Sequence, residues 1–331
     1  MMVDQNAQWH VRATTPKDAA CVTRIINAYY ERWVGKPLLT PEDLVADWGR
    51  PTLDLDHDSV VVCQADGECA GYAIIWDGAP YTRICLQCYV HPDHALQGIE
   101  AEISHWAGER AAKAAAQTAD GQTVLWQERL VADGETLDAY LSLGYQRVRY
   151  SLQMGLAMGE PPLLASPLDE ISIRPYRQGI EERAMIWAMT EAFRDHWGVV
   201  ERPFDEELAE WMQWIEDNPT CDPDLLFVAV NGDEIVGTVF GQTGPADAPD
   251  SGWIFGLGVR RPWRRQGVAQ SLLRAVLSRL YEKGIRAVSL VVDAENLTGA
   301  TGLYDKVGMI VEQRLAILER PVRADCHCRA S

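Results

Sequence analysis

The sequence predicts a mixed α/β fold, an α+β mixed sheet, built twice in tandem. Three observations predict it. The chain has 331 residues, more than one ordinary core organises, which fits about two domains. The two halves also repeat each other in a single order. Val11-Arg12 matches Ile173-Arg174, and Ala28 to Trp33 (AYYERW) matches Ala192 to Trp197 (AFRDHW). Trp48 matches Trp211, Gly71 matches Gly237, Val90 and Gly98 match Val259 and Gly267, and Tyr140 and Gly144 match Tyr304 and Gly308. The separations run from 162 to 169 residues, a period that marks duplicated domains and not a solenoid. Finally, each half carries an antiparallel hairpin pattern that feeds a strand–helix–strand unit.

The elements follow from their patterns, taken here from the second half. Ile171 to Arg174 is a short strand, and Glu181 to Phe193 and Asp205 to Ile215 are amphipathic helices. Leu225 to Val230 and Ile235 to Gly241 form a hairpin around the turn Asn231-Gly232-Asp233. Trp253 to Val259 is a further strand. The helix Gln270 to Lys283 carries Leu272, Leu273, Val276, Leu277 and Leu280 on one face, and Gly284 ends it. Ala287 to Val292 is a buried strand, Ala300 to Val307 a short helix, and Met309 to Leu318 a returning strand. The Pro-rich stretch Glu160 to Pro167 reads as a linker. The expected division is residues 1–159, a linker at 160–169, residues 170–323 and a tail at 324–331.

Composition narrows the function. Hydrophobic residues make up 47% and charged residues 24%, as in a globular protein. The net charge of −18 argues against a nucleic-acid partner. The polar N-terminus and the lack of long apolar runs argue against a leader or a membrane span and for a cytoplasmic protein. The eight cysteines are irregularly spaced and read as reduced, buried thiols. The tail Cys326-His327-Cys328 lacks the ligand number and spacing of a structural zinc site, so no metal is expected.

One segment reverses the sign of the chain. Arg260, Arg261, Arg264 and Arg265 fall within six residues, in the run Val259 to Ala269 that joins a strand to a helix. A strand, a Gly-containing loop and a helix N-terminus make an anion site from free N–H groups and the helix dipole. Gly267 lets the backbone come close, and arginines offer forked donors to a phosphate.

These residues resemble the GNAT superfamily of N-acetyltransferases. Arg264-x-x-Gly267-x-Ala269 is similar to its pyrophosphate loop. Asn296-x-Thr-Gly-Ala-x-x-Leu-Tyr304-x-x-x-Gly308-Met309 is similar to its later Asn–Tyr–Gly segment. With the duplication, the likeness extends to the tandem-domain members, of which the mycothiol synthases are one type. The resemblance implies acetyl-coenzyme A as donor and direct attack by an amine in a ternary complex. Leu257, Gly258 and Val259 would hold the pantetheine arm on a splayed strand, where a backbone N–H would polarise the thioester carbonyl. Arg264, Arg265 and the N–H groups of Gln266, Gly267, Val268 and Ala269 would hold the pyrophosphate. Asn296 would orient the arm, and Tyr304 would protonate the leaving thiolate. The acceptor would be an amine of a small molecule or peptide.

A general base is not evident. Related enzymes often carry a Glu in the strand before the loop, but Ser251 to Leu257 holds no carboxylate. Asp195, His196 and Asp250 are candidates, and a chain of waters is another. The first half keeps the strand, Pro92 and Gly98 but has Ala95 where Arg264 stands and Glu100 where Ala269 stands. A carboxylate there competes for the phosphate's N–H donors, so this domain should bind acetyl-coenzyme A weakly or not at all. Tyr140 then reads as core. Trp187, Phe193, Trp197, Trp211 and Trp214 read mainly as core and partly as pocket wall. The competing hypothesis to a transferase is a non-catalytic module that senses acetyl-coenzyme A. Retention of loop, Asn296 and Tyr304 together favours the enzyme.

Overall fold

A computed structural model describes residues 9–50, 53–78, 80–117, 123–163, 168–218, 220–244, 248–296 and 299–322. The chain divides into two compact units. One is Met1–Tyr150 with Gln313–Ser331, and the other is Ser151–Glu312.

The first unit contains β1 (His10–Ala13), α1 (Ala19–Val34), α2 (Pro41–Trp48), α3 (Leu55–Asp58), β2 (Ser59–Cys63), β3 (Cys69–Trp76), β4 (Arg83–Val90), α4 (Ile99–Ala115), β5 (Thr123–Leu130) and α5 (Gly134–Ser142). The strand β6 (Gln146–Ala157) leads into the second unit, which continues with β7 (Ile171–Pro175), α6 (Glu182–Phe193), α7 (Phe204–Asp217), β8 (Cys221–Asn231), β9 (Glu234–Thr243), β10 (Ser251–Val259), α8 (Val268–Glu282), β11 (Ala287–Asp293) and α9 (Ala300–Lys306). Last comes β12 (Ile310–Val322).

The repeat is visible in local bonds as well as in element order. Arg12, at the end of β1, grips Asp18 with two bonds of 2.7 and 2.8 Å and donates to Ala13 O. Arg174, at the end of β7, does the same to Glu181 and Pro175 O. In both units a charged fork ties the first strand to the entry of the first long helix.

Within each unit the strand order is the same: β1-β2-β3-β4-β5 followed by β12, and β7-β8-β9-β10-β11 followed by β6. The strand order of each unit is therefore completed by a strand from the other half of the sequence. Leu315–Val322 runs antiparallel to β5, and Ser151–Ala157 runs antiparallel to β11. The compact units thus differ from the division at 159 and 170 expected from the repeat. β6 and β12 hold equivalent places in the order of elements, so the repeat by itself does not say which slot each fills.

Apolar side chains cover both faces of each sheet. In the second unit, α8 and α9 bury Leu272, Leu273, Val276, Leu280 and Tyr304 on one face. On the other face, α6 and α7 bury Met185, Ile186, Met189 and Trp211 against Leu226, Val228 and Phe240. The first unit has the corresponding two cores under α4 and α1. The expectation that all cysteines are reduced is corrected: Cys63 and Cys69, opposite each other on β2 and β3, form a disulfide. Cys21, Cys85, Cys88 and Cys221 are free thiols. The tail Cys326-His327-Cys328 lies outside the described residues.

Candidate active site

The site of the second unit begins where two parallel strands part. β10 and β11 pair from Ser251↔Ala287 to Ile254↔Leu290, and the ladder stops there. On its other side β10 stays paired with β9 through Val259, after a register shift at Ile254/Gly256. Leu257, Gly258 and Val259 thus run along one partner only, as the expected slot for an extended ligand requires. Helix α6 sits directly on this segment. A Cβ at Gly258 would stand 2.8 Å from Ala192 Cβ and 3.0 Å from Phe193 Cε2, which is why the strand carries glycine there.

Beyond Val259 the chain turns into α8. Gly267 takes φ 85° as N-cap, and no side chain caps the helix. The first turn holds no acidic residue. Val268 is buried in the core and Ala269 packs against it, so these two positions offer a ligand their backbone N–H groups. Gln266 is exposed and turns its amide back to Pro262 O at 3.0 Å.

The four arginines have different partners. Arg260 pairs with Glu191 at 2.7 Å and with Glu234. Arg261 forks onto Asp195. Arg264 donates to Val259 O and Ala192 O, both at 2.9 Å, and to Asp195 at 3.3 Å. It binds the loop to the end of α6 and caps a helix carbonyl. Arg265 is exposed, held at φ 63°, and is the one of the four with no side-chain partner among the described residues. Most of the basic island in the sequence is neutralised by local carboxylates, which a linear reading cannot show.

Tyr304 lies in α9 and is 7% exposed. Burial pushes its pKa up to about 12, and its hydroxyl meets no hydrogen-bond partner among the described residues. Such a phenol stays protonated at neutral pH and can donate. Asn296 sits in the turn between β11 and α9, its N–H bonded to Asp293 O at 3.1 Å. Leu297 and Thr298 of the same motif lie outside the described residues.

The three base candidates separate by position. Asp250 precedes β10 and takes the N–H groups of Arg286 and Ala287 on its carbonyl. At about 3.3 Å per strand residue, it lies roughly 20 Å from Gly256. Asp195 is held by Arg261 and Arg264, and the Arg261 bond draws its carboxyl below the usual range. Neither suits a base for an amine. His196 packs against Phe193 with the rings tilted and their centroids 4.4 Å apart, and its ring nitrogens have no partner among the described residues. Burial, then Arg264, lowers its pKa below 6.5.

The aromatic residues on α6 and α7 chiefly pack together. Trp211, Trp214, Phe240 and Phe255 form one cluster with centroids 4.5–6.1 Å apart, and Trp187 meets Phe204 edge-on. Phe255, absent from the sequence reading, belongs to this wall. Alternation along β10 was the signal available for it.

The first unit repeats the frame and fills it. Leu96 has φ 62° and Gly98 φ 96°, matching Arg265 and Gly267. Glu100 is 3% exposed, and its carboxylate accepts the N–H of Leu96 at 3.0 Å. The parallel β4–β5 ladder stops at Cys85↔Trp126. Past that point Arg129, buried and paired with Asp133, donates across to Cys88 O at 2.7 Å. The slot between the strands is therefore bridged by a guanidinium, a feature the sequence reading missed. Tyr140 is fully buried, its hydroxyl 3.2 Å from Cys88 Sγ and its ring beneath Arg129. Burial raises its pKa well above the usual value.

The sequence model of the acetyltransferase (GNAT) family matches residues 184–309. The crystal structure of a GCN5-related N-acetyltransferase from Sphaerobacter thermophilus is 31% identical, covers 98% of each chain and superposes with a TM-score of 0.83. The chain belongs to the GNAT family and is an acetyl-coenzyme A-dependent N-acetyltransferase. Its relatives include the mycothiol acetyltransferases of Geodermatophilus obscurus (26% identical, covering 88% of this chain and 91% of that one) and Salinispora arenicola (28%, 75% and 77%). A tandem GNAT protein from the clavulanic acid biosynthesis pathway shares the fold at 13% identity, with a TM-score of 0.72 over 96% of this chain and 100% of that one. No helix among the described residues is long and apolar enough to cross a membrane.

Proposed function

We propose that the second unit alone carries the reaction, transferring acetyl from acetyl-coenzyme A to an amine of a small molecule or peptide by direct attack in a ternary complex. The contrast between the two loops carries the reading. Both helices start at a left-handed glycine with no side-chain cap, but only the α4 loop has a carboxylate in the following first turn, Glu100, which takes the Leu96 N–H, and a strand bridged by Arg129. The family match at 184–309 falls within the second unit. The N–H groups of Gln266 to Ala269 hold the pyrophosphate, with Arg265 as the exposed cation and Arg264 as the residue that positions the loop. Leu257 to Val259 bind the pantetheine arm through backbone groups, and Asn296 orients it. Tyr304 protonates the departing thiolate. The relatives named mycothiol acetyltransferase favour a small-molecule amine as acceptor.

Calorimetric titration with acetyl-coenzyme A tests the division of labour. One molecule should bind per chain. Gly267→Asp should abolish binding, and Gly98→Asp, at an equally positive φ, should leave it intact. Two sites of equal affinity, or loss only in Gly98→Asp, would refute the assignment.

A further inference from the structure

The amine must lose a proton during the transfer, and the strand before the loop supplies no carboxylate. We infer that His196 is the general base of the second unit, standing on the Phe193 ring at the mouth between β10 and β11. This rests on the proposed transferase reading of that unit.

Three contacts fix the place. Phe193 Cε2 lies where a Cβ of Gly258 would meet it at 3.0 Å, so the Phe193 ring covers the strand segment that binds the donor. The imidazole lies on that ring with centroids 4.4 Å apart and 50° between planes. The His196 N–H donates to Phe193 O at 2.8 Å, which fixes the turn that presents the ring. His196 is thus one aromatic ring away from Gly258, beside the strand end where the parallel ladder has already opened.

The surroundings suit a base. The charged groups that act on the imidazole are Arg264 and Asp195 from the loops and Asp293 from the end of β11. Asp195 binds both Arg264 and Arg261; Arg264 lowers the pKa of the ring, and Asp293 and Asp195 each raise it by less. Burial is the largest effect and lowers the pKa from 6.5, which favours the neutral ring at pH 7. Neither ring nitrogen is committed among the described residues, so one can accept a proton.

The step balances. The amine lone pair forms the C–N bond at the thioester carbonyl carbon, and the C–S electron pair leaves with sulfur. The proton shed by nitrogen goes to the His196 imidazole. The thiolate takes its proton from the Tyr304 hydroxyl.

Nuclear magnetic resonance of 15N-imidazole groups tests the placement without an acceptor, with the His196 signal assigned by its loss in His196→Gln. The free protein should show a titration midpoint below 6.5, and saturation with acetyl-coenzyme A should shift that signal. A midpoint above 6.5, or a signal unmoved while acetyl-coenzyme A binds, overturns the assignment. Failure of acetyl-coenzyme A to bind at all overturns the transferase reading itself, and with it this step. With primary amines as acceptors and free-thiol detection, His196→Gln should lower kcat by about 10²–10⁴-fold. KM for acetyl-coenzyme A should hold within about twofold, and the acid limb of the pH profile should vanish. A variant with wild-type kcat and an unchanged profile would show that water carries the proton.

Discussion

Arg264 and Arg265 are neighbours in sequence, and the structure assigns them opposite duties. Substituting each by Ala separates the two. Arg264 makes two hydrogen bonds of 2.9 Å to main-chain carbonyls and a longer one to Asp195. Hydrogen bonds from a charged donor contribute about 1.5–3 kcal/mol each. The side chain is 25% exposed, so solvent replaces part of that loss, and about 2–3 kcal/mol remains. For a domain of this size, each kcal/mol lowers Tm by about 2–4 °C. Arg264→Ala should therefore melt about 4–12 °C lower, and its affinity for acetyl-coenzyme A should fall because the loop is no longer tied to α6. Arg265 has no side-chain partner among the described residues, and its variant should stay within about 0.5 kcal/mol of the parent in stability. Its loss should appear in binding, about fivefold for one solvent-facing phosphate contact. That loss should shrink as salt rises. Scanning calorimetry and titration at two salt concentrations give all four numbers. An Arg264→Ala protein with unchanged Tm and a salt-sensitive binding defect would show that Arg264 contacts phosphate directly, and would refute the division.

Two further expectations concern protons. Tyr304→Phe should lower kcat by about 10²–10⁴-fold with acetyl-coenzyme A affinity retained, and a variant as fast as the parent would remove the phenol from the mechanism. The raised folded-state pKa of Tyr304, about 12 against an ordinary 10, means the folded protein keeps a proton that the unfolded chain gives up. Stability is unaffected below pH 10 and falls from pH 10 towards 12 by about 2–3 kcal/mol through this group. Tyr304→Phe should lack that part of the alkaline loss in paired denaturation curves. At the acid end, Arg12 holds Asp18 at about 2 against an ordinary 3.8. The pair stabilises above pH 4 and its contribution is lost as pH falls towards 2. Arg12 is half-exposed, so Arg12→Ala should cost about 1 kcal/mol at pH 6 and almost nothing at pH 2, read by urea denaturation at the two values.

The fold was legible wherever a pattern is local. Helix α8 shows its core face in Leu272, Leu273, Val276, Leu277 and Leu280, and each of these is buried. The repeat predicted the matching loop turns, and Leu96 and Arg265 adopt positive φ within a degree of each other. Glu100 was legible too, because a carboxylate in the first turn of a helix has few acceptable tasks other than taking an N–H. Pairing between distant residues was not legible. Four arginines in six residues read as a phosphate patch, but Glu191, Asp195 and Glu234, up to 69 residues away, claim three of them. Arg129 gave no local sign that it would bridge β4 and β5, since its acceptor, Cys88 O, is a main-chain atom 41 residues earlier.

The exchanged strands show why this limit is one of principle. β6 and β12 occupy equivalent places in the repeat, and a strand's pattern states which face is buried but not which neighbour it joins. Two units of the same strand order offer two slots of the same kind, so a repeat cannot say which strand fills which. Cross-strand contacts decide. Arg320 of β12 reaches Ser104 of α4 with bonds of 2.7 and 2.8 Å and lies over the Tyr145 ring. Arg83 of β4 pairs with Glu319 at 2.6 Å. These partners belong to the first unit. The residues that set the exchange are therefore the ones in which the two halves differ, just as Glu100 and Arg129 differ from Ala269 and Asp293. After a duplication, the shared residues specify the fold twice, and the unshared ones specify how the two copies are completed and which copy keeps an open loop.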